Sequence, residues 1–260
     1  MSITERFYNK TLLLRERLRR NSYAKYLKGR RVAIIGPAET VKGKAEGAEI
    51  DKYDVVARFN TTMDFMPFSE EMAADIGSKT TVLYVCPSSV ASLAKKKAKK
   101  IEGIFSGNQI EYLTYQNNHK NHQYRYCEFV YEGRIQPYLK RMHKKGYKVK
   151  GHYSNPSMAL LSTWLTHHAG VPLVARTGFL SIFDAILHGA TAIMIRGMTF
   201  YHAGGHMFRP MVGELKPTKQ HQLLGCPHDS TKELELLKII MGLFDTKFDL
   251  DDSLTQLIGE

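Results

Sequence analysis

Residues 32–60 constrain the fold of this chain more than any other stretch. They begin with a short apolar run at 32–35, which is typical of a buried strand. The run stops at Gly36-Pro37, where the chain must turn, and a polar segment with further glycines leads to a second apolar run at 55–57. This order predicts a strand, a helical connection and a second strand, as in one half of an open α/β domain.

Such a unit is a candidate nucleotide or sugar-nucleotide site. In open α/β sheets, ligands lie beyond the carboxyl ends of the strands, where N–H groups at a helix start meet phosphate. Asn60 follows the second predicted strand at that edge, and its side-chain amide can both donate and accept hydrogen bonds. The alternative is an ordinary βα unit with a tight turn.

Two familiar phosphate-binding motifs are excluded. Six residues separate Gly36 from Gly43-Lys44, where a P-loop requires four, and Ala45 stands where a serine or threonine would hold magnesium. The pattern G-x-G-x-x-G is also missing from this segment. The sequence therefore supports neither a P-loop nor a dinucleotide site.

The length of 260 residues suits one large α/β domain, and the composition is that of a globular protein. We predict an N-terminal basic helix at 1–29, followed by a single domain at 30–260. No signal-peptide core or membrane-spanning run is found, and the three cysteines form no CxxC pair. These features predict a cytoplasmic protein without a structural zinc.

The formal net charge of +12 points to an anionic partner. Much of it lies in the N-terminal helix and in the lysine-rich run at 95–100, and such runs are usually solvated helix faces. We expect at most a weak contact with an anionic membrane surface, and nucleic acid is not the expected partner.

The remaining elements follow from periodicity and from Gly/Pro punctuation. Residues 61–80 are predicted to be a loop that turns at Gly77. Further strands are predicted at 82–85, 101–105, 110–115 and 192–195. Further helices are predicted at 3–28, 88–100, 132–145, 155–169, 177–187 and 230–244.

Arg176-Thr177-Gly178-Phe179 precedes an apolar helix. Backbone N–H groups and a hydroxyl at a helix start are suited to bind an anion. Thr177 is equally suited to be simply the N-cap of the helix.

His202 and His206 are spaced as helical metal ligands would be, but Ala-Gly-Gly between them disfavours a helix. No glutamate follows the first histidine, as a metalloprotease motif would require. A metal site is therefore not expected here.

The segment at 226–233 is the most informative short motif. Ser230 and Glu233 have the spacing of a capping box. His228 lies just before the helix, where a neutral imidazole can take a proton from a hydroxyl group near pH 7. His228 is therefore a candidate general base.

Taken together, these segments resemble glycosyltransferase family 29, the animal-type sialyltransferases. Residues 34–60, IIGPAETVKGKAEGAEIDKYDVVARFN, follow the family's large motif, VVGNxGxLxGxxxGxxIDxxDxVxRxN, almost in register. Residues 74–81, ADIGSKTT, are similar to its D-V-G-x-K-T-T segment. Residues 176–198 resemble the small motif, and residues 228–233, HDSTKE, resemble the very small motif H-x4-E.

The third motif of the family is matched by two candidates. One is GGHMF at 204–208, which contains His206, and the other is Tyr201-His202. The four clearer segments occur in family order over roughly residues 30–235, which makes the resemblance specific.

The resemblance implies a variant GT-A, Rossmann-like domain with a mostly parallel sheet flanked by helices. It also implies a metal-independent, inverting transfer of sialic acid from CMP-sialic acid to a glycan hydroxyl, with no further cofactor. By match, His228 is the general base and His206 a phosphate partner. The residues that match donor-binding positions are Gly36, Pro37, Ala38, Asn60, Thr177, Gly178, Phe179 and Glu233.

The chain departs from the family pattern in four ways. Pro37 stands where the family has asparagine, and Met198 stands where the small motif usually ends in phenylalanine. No residues match the cysteines of the family's disulfide, and a protein without the family's N-terminal membrane anchor is expected. A related CMP-activated acid such as Kdo is therefore an alternative donor, and a nucleotide- or nucleic-acid-binding protein without transferase activity is the alternative function.

Overall fold

The strands of the structure form one parallel sheet. The structure, a computed structural model, describes residues 22–85, 104, 109–115, 148–151, 156–170, 173, 175–202, 205–207 and 229–259. The strands are β1 (Arg31–Ile35), β2 (Val55–Phe59), β3 (Val82–Val85), β4 (Tyr112–Tyr115), β5 (Lys148–Gly151), β6 (Ala192–Arg196) and β7 (Lys247–Leu250). They form a seven-stranded sheet in the order β5-β4-β3-β2-β1-β6-β7, and every neighbouring pair is parallel.

Helices flank this sheet, and the predicted α/β class is confirmed. They are α1 (Ser22–Leu27), α2 (Gly47–Asp51), α3 (Glu70–Ile76), α4 (Pro156–Ala169), α5 (Thr177–Leu187), α6 (Ser230–Met241) and α7 (Asp252–Gly259). Two short 3-10 helices, Glu39–Val41 and Asn60–Phe65, follow β1 and β2 directly. None of the helices described is long and apolar enough to cross a membrane.

The central strands are buried on both faces, as expected for a parallel sheet with helices on either side. All five residues of β2 are buried, and only Arg31 of β1 is exposed. On one face, the larger core cluster includes Val32 and Ile34 together with the apolar residues of α5. On the other face, Ala33 and Ile35 pack with residues from α2 and α3. The alternation along β1 thus divides the core into two layers.

Helix α1 belongs to the packing of the domain. Tyr23, Tyr26 and Leu27 are buried in the larger core cluster, and the rings of Tyr26 and Tyr112 lie 4.6 Å apart. The predicted boundary at residue 30 therefore falls between α1 and β1, which share one core.

Several predicted elements are confirmed and others are wrong. The structure contains the predicted strands β1 and β2, the strand at 192–195 and the helix Thr177–Leu187. The loop predicted at 61–80 is wrong in part, because Ser69 caps α3 there by accepting a bond from the Met72 N–H. Ile104 is helical, whereas a strand was predicted at 101–105. The helices predicted at 88–100 and 132–145 lie outside the described residues.

The order of the strands reverses between β1 and β6. Strands β2 to β5 extend from β1 in one direction, whereas β6 and β7 extend in the other. At such a switch point the connections leave the sheet on opposite sides, and a crevice opens at the carboxyl ends of the two central strands. Gly36 and Gly197 are the first residues beyond these two ends.

Candidate active site at the switch point

The chain segments that follow β1 and β6 are in close contact. The Gly36 N–H donates to the Arg196 carbonyl (2.7 Å), and the Ala38 N–H donates to the Gly197 carbonyl (3.1 Å). A Cβ added to Gly36 would lie 2.1 Å from the Gly197 carbonyl oxygen. Only glycine fits at this approach. The close contact fixes the turn at residues 36–39, called the first turn below, against the end of β6.

The N–H groups of this turn are already used. Gly36 and Ala38 donate to the β6 segment, the Glu39 N–H donates to Gly205 (3.0 Å), and Pro37 has no N–H group. The N–H groups of Gly36, Ala38 and Glu39 are therefore engaged within the fold, and the contact of Gly36, Pro37 and Ala38 with the CMP-sugar stays a prediction. If these residues contact the CMP-sugar, they do so through their carbonyl groups or by van der Waals contact.

His206 lies beside this turn. It forms an isolated antiparallel bridge with Ala38, and the Met207 N–H donates to the Pro37 carbonyl (2.7 Å). The backbone N–H of His202 instead closes a separate turn by donating to the Thr199 carbonyl (2.8 Å). The two histidines therefore do not share a helix face. Within the described residues, no group of three or more His, Cys, Asp or Glu side chains is arranged to hold a metal ion.

The start of α5 offers N–H groups to a ligand. Arg176 is the N-cap and makes no capping bond with its side chain, and the first bond inside the helix runs from Leu180 N–H to Arg176 (2.9 Å). The N–H groups of Thr177, Gly178 and Phe179 therefore lack partners inside the helix. Thr177 is the first helical residue, so its predicted role as the N-cap is wrong. This helix start is suited to an anion.

Met198 connects the two glycine segments of the crevice. Its Sδ atom would lie 2.7 Å from a Cβ on Gly36, and its Cε atom would lie 2.3 Å from a Cβ on Gly178. The side chain thus fills the space between the first turn and the start of α5. Sequence reasoning noted Met198 only as a departure from the family pattern and assigned it no role.

Asn60 and Phe179 are placed differently with respect to the crevice. Asn60 directly follows β2, the strand next to β1. Its φ is 45°, which asparagine tolerates well, and its side chain is half-buried. The Phe179 side chain is fully buried, and its ring lies 6.1 Å from that of Phe200. Only the backbone of Phe179 is therefore available to a ligand.

Arg58 is a fully buried residue that fixes the turn before β3. Its Nε atom donates to Thr80 Oγ1 (2.9 Å), and its Nη2 atom donates to the carbonyls of Ile76 (2.5 Å) and Gly77 (3.0 Å). Burial lowers the pKa of Arg58 to about 9. The guanidinium also lies over the Phe68 ring, 4.7 Å from its centroid. Because Arg58 belongs to β2, these contacts fix the end of that strand, directly before Asn60.

We expect Arg58→Lys to destabilise the fold by about 2–4 kcal/mol, because an ammonium group cannot reach three acceptors in the geometry of the guanidinium fork. Urea unfolding measures this loss. The matched control is Arg31→Lys, since Arg31 is exposed and also donates to a carbonyl group, that of Lys52. The control should change stability by no more than about 0.5 kcal/mol. Equal losses in both variants would show that the buried fork is unimportant.

Glu233 joins the first turn of α6 to the start of α5. Its carboxylate accepts from the Arg176 N–H (2.6 Å) and from Arg176 Nη1 (2.8 Å), and its side chain is 1% exposed. Asp229 caps α6 by accepting from the Lys232 N–H. The predicted capping box of Ser230 and Glu233 is therefore wrong. Burial raises the pKa of Glu233, although Arg176 opposes the shift.

We expect Glu233→Gln to cost about 1–3 kcal/mol of stability at neutral pH, because the amide NH2 group of glutamine cannot accept one of the two hydrogen bonds that Arg176 donates. The raised folded pKa of Glu233 also adds stability that is fully present below about pH 4.5 and is lost as the pH rises through the folded value. The wild-type advantage over the variant should therefore grow as the pH is lowered toward 4.5. Denaturant unfolding between pH 4.5 and 8 tests this. An advantage that instead shrinks in acid would contradict the raised pKa.

His228 itself lies outside the described residues. Its neighbour Asp229 is described, and the Glu233 N–H donates to the Asp229 carbonyl (3.0 Å). Because the Glu233 carboxylate accepts hydrogen bonds from Arg176, the first turn of α6 connects the chain next to His228 to the start of α5. No described contact shows the His228 side chain, and its role stays a prediction.

An open parallel sheet with glycine segments at its switch point, beside a helix whose N-cap side chain makes no capping bond, is an arrangement found in α/β proteins that bind phosphorylated ligands. The sequence profile of glycosyltransferase family 29 (sialyltransferase) matches residues 2–169, and the chain belongs to this family. No curated protein matches the chain at a significant level of sequence similarity.

Solved structures share the fold over most of the chain. Monofunctional alpha-2,3-sialyltransferase Cst-I from Campylobacter jejuni matches with a TM-score of 0.56 and 13% identity, covering 89% of this chain and 82% of that chain. A mammalian sialyltransferase in complex with Gal-beta-1-3GalNAc-ortho-nitrophenol matches with a TM-score of 0.52 and 17% identity, covering 92% and 77%. The sialyltransferase CstII from C. jejuni, in complex with CMP-3FNeuAc, matches with a TM-score of 0.52 and 13% identity, covering 85% and 79%.

Proposed function

We propose that this protein transfers sialic acid, or a related acid sugar, from a CMP-activated donor to a glycan hydroxyl, with inversion and without a metal. The observation that carries the proposal is the convergence at one crevice of the first turn, His206 and the start of α5, in a chain of family 29. These segments are far apart in sequence. The first turn and the start of α5 resemble family motifs, and His206 lies in one of the two candidates for the third motif.

The donor phosphate is assigned to the start of α5. Its N–H groups at Thr177, Gly178 and Phe179 have no partner inside the helix, and the helix dipole favours an anion at this end. His206, bridged to Ala38, is proposed as a second hydrogen-bond donor to this phosphate. Asn60 offers an amide to the nucleoside at the end of β2.

The proposed reaction is one displacement. The acceptor hydroxyl oxygen forms a bond with the anomeric carbon while the bond from that carbon to the CMP phosphate oxygen breaks. His228 takes the hydroxyl proton as general base. CMP leaves with the bonding electron pair as a phosphate monoester, and hydrogen-bond donors directed at its phosphate stabilise the charge that develops.

The structural relatives support the choice of donor. One is CstII in complex with CMP-3FNeuAc, and another is CstII in complex with cytidine-5'-monophosphate. The mammalian relative was solved with a disaccharide derivative. These ligands belong to those proteins, and the shared fold and family motivate testing the same classes here.

The proposal is tested by incubating the protein with CMP-Neu5Ac or CMP-Kdo, a glycan panel and a chelator. We expect a new glycoside whose anomeric configuration, read by NMR, is opposite to that of the donor. Retained configuration would rule out the single displacement. Activity that disappears with chelator and returns with a divalent cation would rule out the metal-independent mechanism.

A further inference from the structure

One peptide group at the end of β6, between Arg196 and Gly197, is hydrogen-bonded on both sides. Its carbonyl oxygen accepts from the Gly36 N–H (2.7 Å), which belongs to the first turn. Its N–H group, that of Gly197, donates to Asp251 Oδ2 (2.7 Å). Hydrogen bonds at the two ends of one peptide group polarise it and strengthen each other. The first turn, this peptide group and Asp251 therefore form a continuous chain of hydrogen bonds.

The Asp251 carboxylate is itself fixed in orientation. Asp251 follows β7, and its N–H donates to the Ile195 carbonyl of β6 (3.1 Å). Its Oδ1 atom accepts from the Leu254 N–H (2.8 Å), which makes Asp251 the N-cap of α7. Because the backbone of Asp251 is bonded to β6 and one of its carboxylate oxygens to α7, the other oxygen stays directed at Gly197.

Gly197 depends on such an outside contact, because no side chain of its own restricts its backbone. Its φ is 65°, in the left-handed region, and a Cβ at this position would lie 2.8 Å from the Gly36 carbonyl oxygen. Glycine therefore fits here, but glycine also moves easily between conformations. A rotation of the preceding peptide group would turn the Arg196 carbonyl away from the first turn, and the bond to Asp251 opposes this rotation.

Both sides of the crevice depend on the position of Gly197. On one side, its carbonyl accepts from the Ala38 N–H (3.1 Å), and Ala38 is bridged to His206. On the other side, the next residue, Met198, reaches the start of α5, where its Cε atom would lie 2.3 Å from a Cβ on Gly178. A shift of Gly197 would therefore be transmitted to the first turn and to the start of α5.

We propose that Asp251 is a positioning residue of the donor site. Its carboxylate holds the peptide group between Arg196 and Gly197 in the orientation in which the first turn and the start of α5 bind the CMP-activated donor. Asp251 itself neither contacts the donor nor takes part in the displacement. The inference rests on the proposed function. It assigns a role to the segment of β7 and α7, which follows every motif that resembles the family.

The end of β6 is also anchored independently of Asp251. Arg196 Nη2 donates to Asp249 Oδ1 (2.9 Å), and Arg196 Nε donates to Glu46 Oε2 (2.9 Å). These bonds and the pairing of β6 with β1 and β7 remain when the Asp251 side chain is shortened. We therefore expect variants of Asp251 to fold with the sheet intact.

The experiment compares wild type with Asp251→Ser and Asp251→Ala. A serine hydroxyl at an N-cap accepts from the N–H groups of the first helical turn, so Asp251→Ser keeps α7 capped. Serine has a single side-chain oxygen on a shorter side chain and cannot bond to Gly197 as well, whereas alanine loses both bonds. Three quantities are measured: the CMP Kd by calorimetry, the amide hydrogen exchange of residues 36–39, and Tm.

We expect both variants to raise the CMP Kd by the same factor, about tenfold, which is the effect of losing one hydrogen bond. Amide exchange of residues 36–39 should become roughly tenfold faster in both. Only Tm should separate them, being about 2–4 °C lower in Asp251→Ala, which also loses the helix cap. An unchanged CMP Kd, or a rise confined to Asp251→Ala, would overturn the proposal, because the side chain would then act only as a cap.

Ser69→Ala is the matched control. Ser69 is exposed and caps α3 by accepting from the Met72 N–H, so its loss removes a helix cap without affecting the switch point. The control should lower Tm by about 2–4 °C and leave the CMP Kd and the exchange of residues 36–39 as in wild type. A CMP Kd that rises in this control as much as in the Asp251 variants would overturn the proposal.

Calorimetry and hydrogen exchange separate this inference from the proposed function, because neither requires transfer. If wild type binds CMP but transfers no sugar, and both Asp251 variants weaken CMP binding and speed up exchange, the positioning role stands and the transferase proposal fails. If wild type transfers sugar and both variants match it in CMP Kd and exchange, the function stands and the positioning role fails. A wild type that binds no CMP has no donor site to position and overturns the inference.

Discussion

Replacing His228 with alanine is expected to lower turnover by roughly 10²–10⁴-fold while leaving the CMP Kd unchanged. The imidazole is assigned to take the acceptor proton, a task that arises only as the glycosidic bond forms. CMP contacts are assigned to other segments, at the first turn and at the start of α5. Steady-state kinetics combined with CMP calorimetry measures both quantities.

Two observations sharpen this test. Added imidazole should restore part of the activity of His228→Ala, because a small base can occupy the space left by the side chain. His167→Ala is the control, since His167 is exposed on α4, and it should have no effect on turnover. Full activity in His228→Ala would remove this residue as the base, and a matching loss of CMP binding would make it a donor ligand instead.

Gly36→Ala is expected to disrupt the crevice itself. The added Cβ would lie 2.1 Å from the Gly197 carbonyl oxygen and 2.7 Å from Met198 Sδ. The first clash involves backbone that is fixed by the β1–β6 pairing, so it cannot be relieved by a side-chain rotation. We expect a loss of about 3 kcal/mol of stability and a roughly hundredfold weaker CMP affinity in whatever folds.

Gly178→Ala separates the effect of the backbone clash from the effect of the clash with the Met198 side chain. A Cβ on Gly178 would meet only the thioether end of Met198, which is flexible and can move. Its stability loss should therefore be smaller than that of Gly36→Ala. Gly259→Ala, where no atom lies within 4 Å, should behave as wild type. If Gly36→Ala unfolds at the wild-type denaturant midpoint and binds CMP normally, the close approach of the two turns is unimportant.

The parts of the fold with strong local patterns were predictable from the sequence. The apolar run of β1 and the periodicity of α5 predicted elements that the structure contains at the same positions. The edge strands β5 (KVKG) and β7 (KFDL) were missed, because short strands rich in charge resemble loops. Helix α3 was missed because Pro67 and the turn glycine outweighed a seven-residue helix in the pattern.

The candidate site was predictable only in part. Motif order located the segments of the crevice, but spacing does not show which groups within them are already used. The Gly36 N–H, for example, donates to the Arg196 carbonyl of β6, 160 positions away in the sequence. Glu233 fits a capping box as well as it fits an ion pair, and only the packing of α6 on α5 decides between them. Met198 gains its place from the approach of the first turn to the start of α5, which spacing does not show either.

The most direct test of a CMP-sugar site at the switch point is CMP release by the wild-type protein from CMP-Neu5Ac and CMP-Kdo, with chelator present. The account predicts that one donor releases CMP faster than its uncatalysed rate and that free CMP inhibits this release. A protein that releases CMP from neither donor, and that shows no CMP binding by calorimetry, would contradict it.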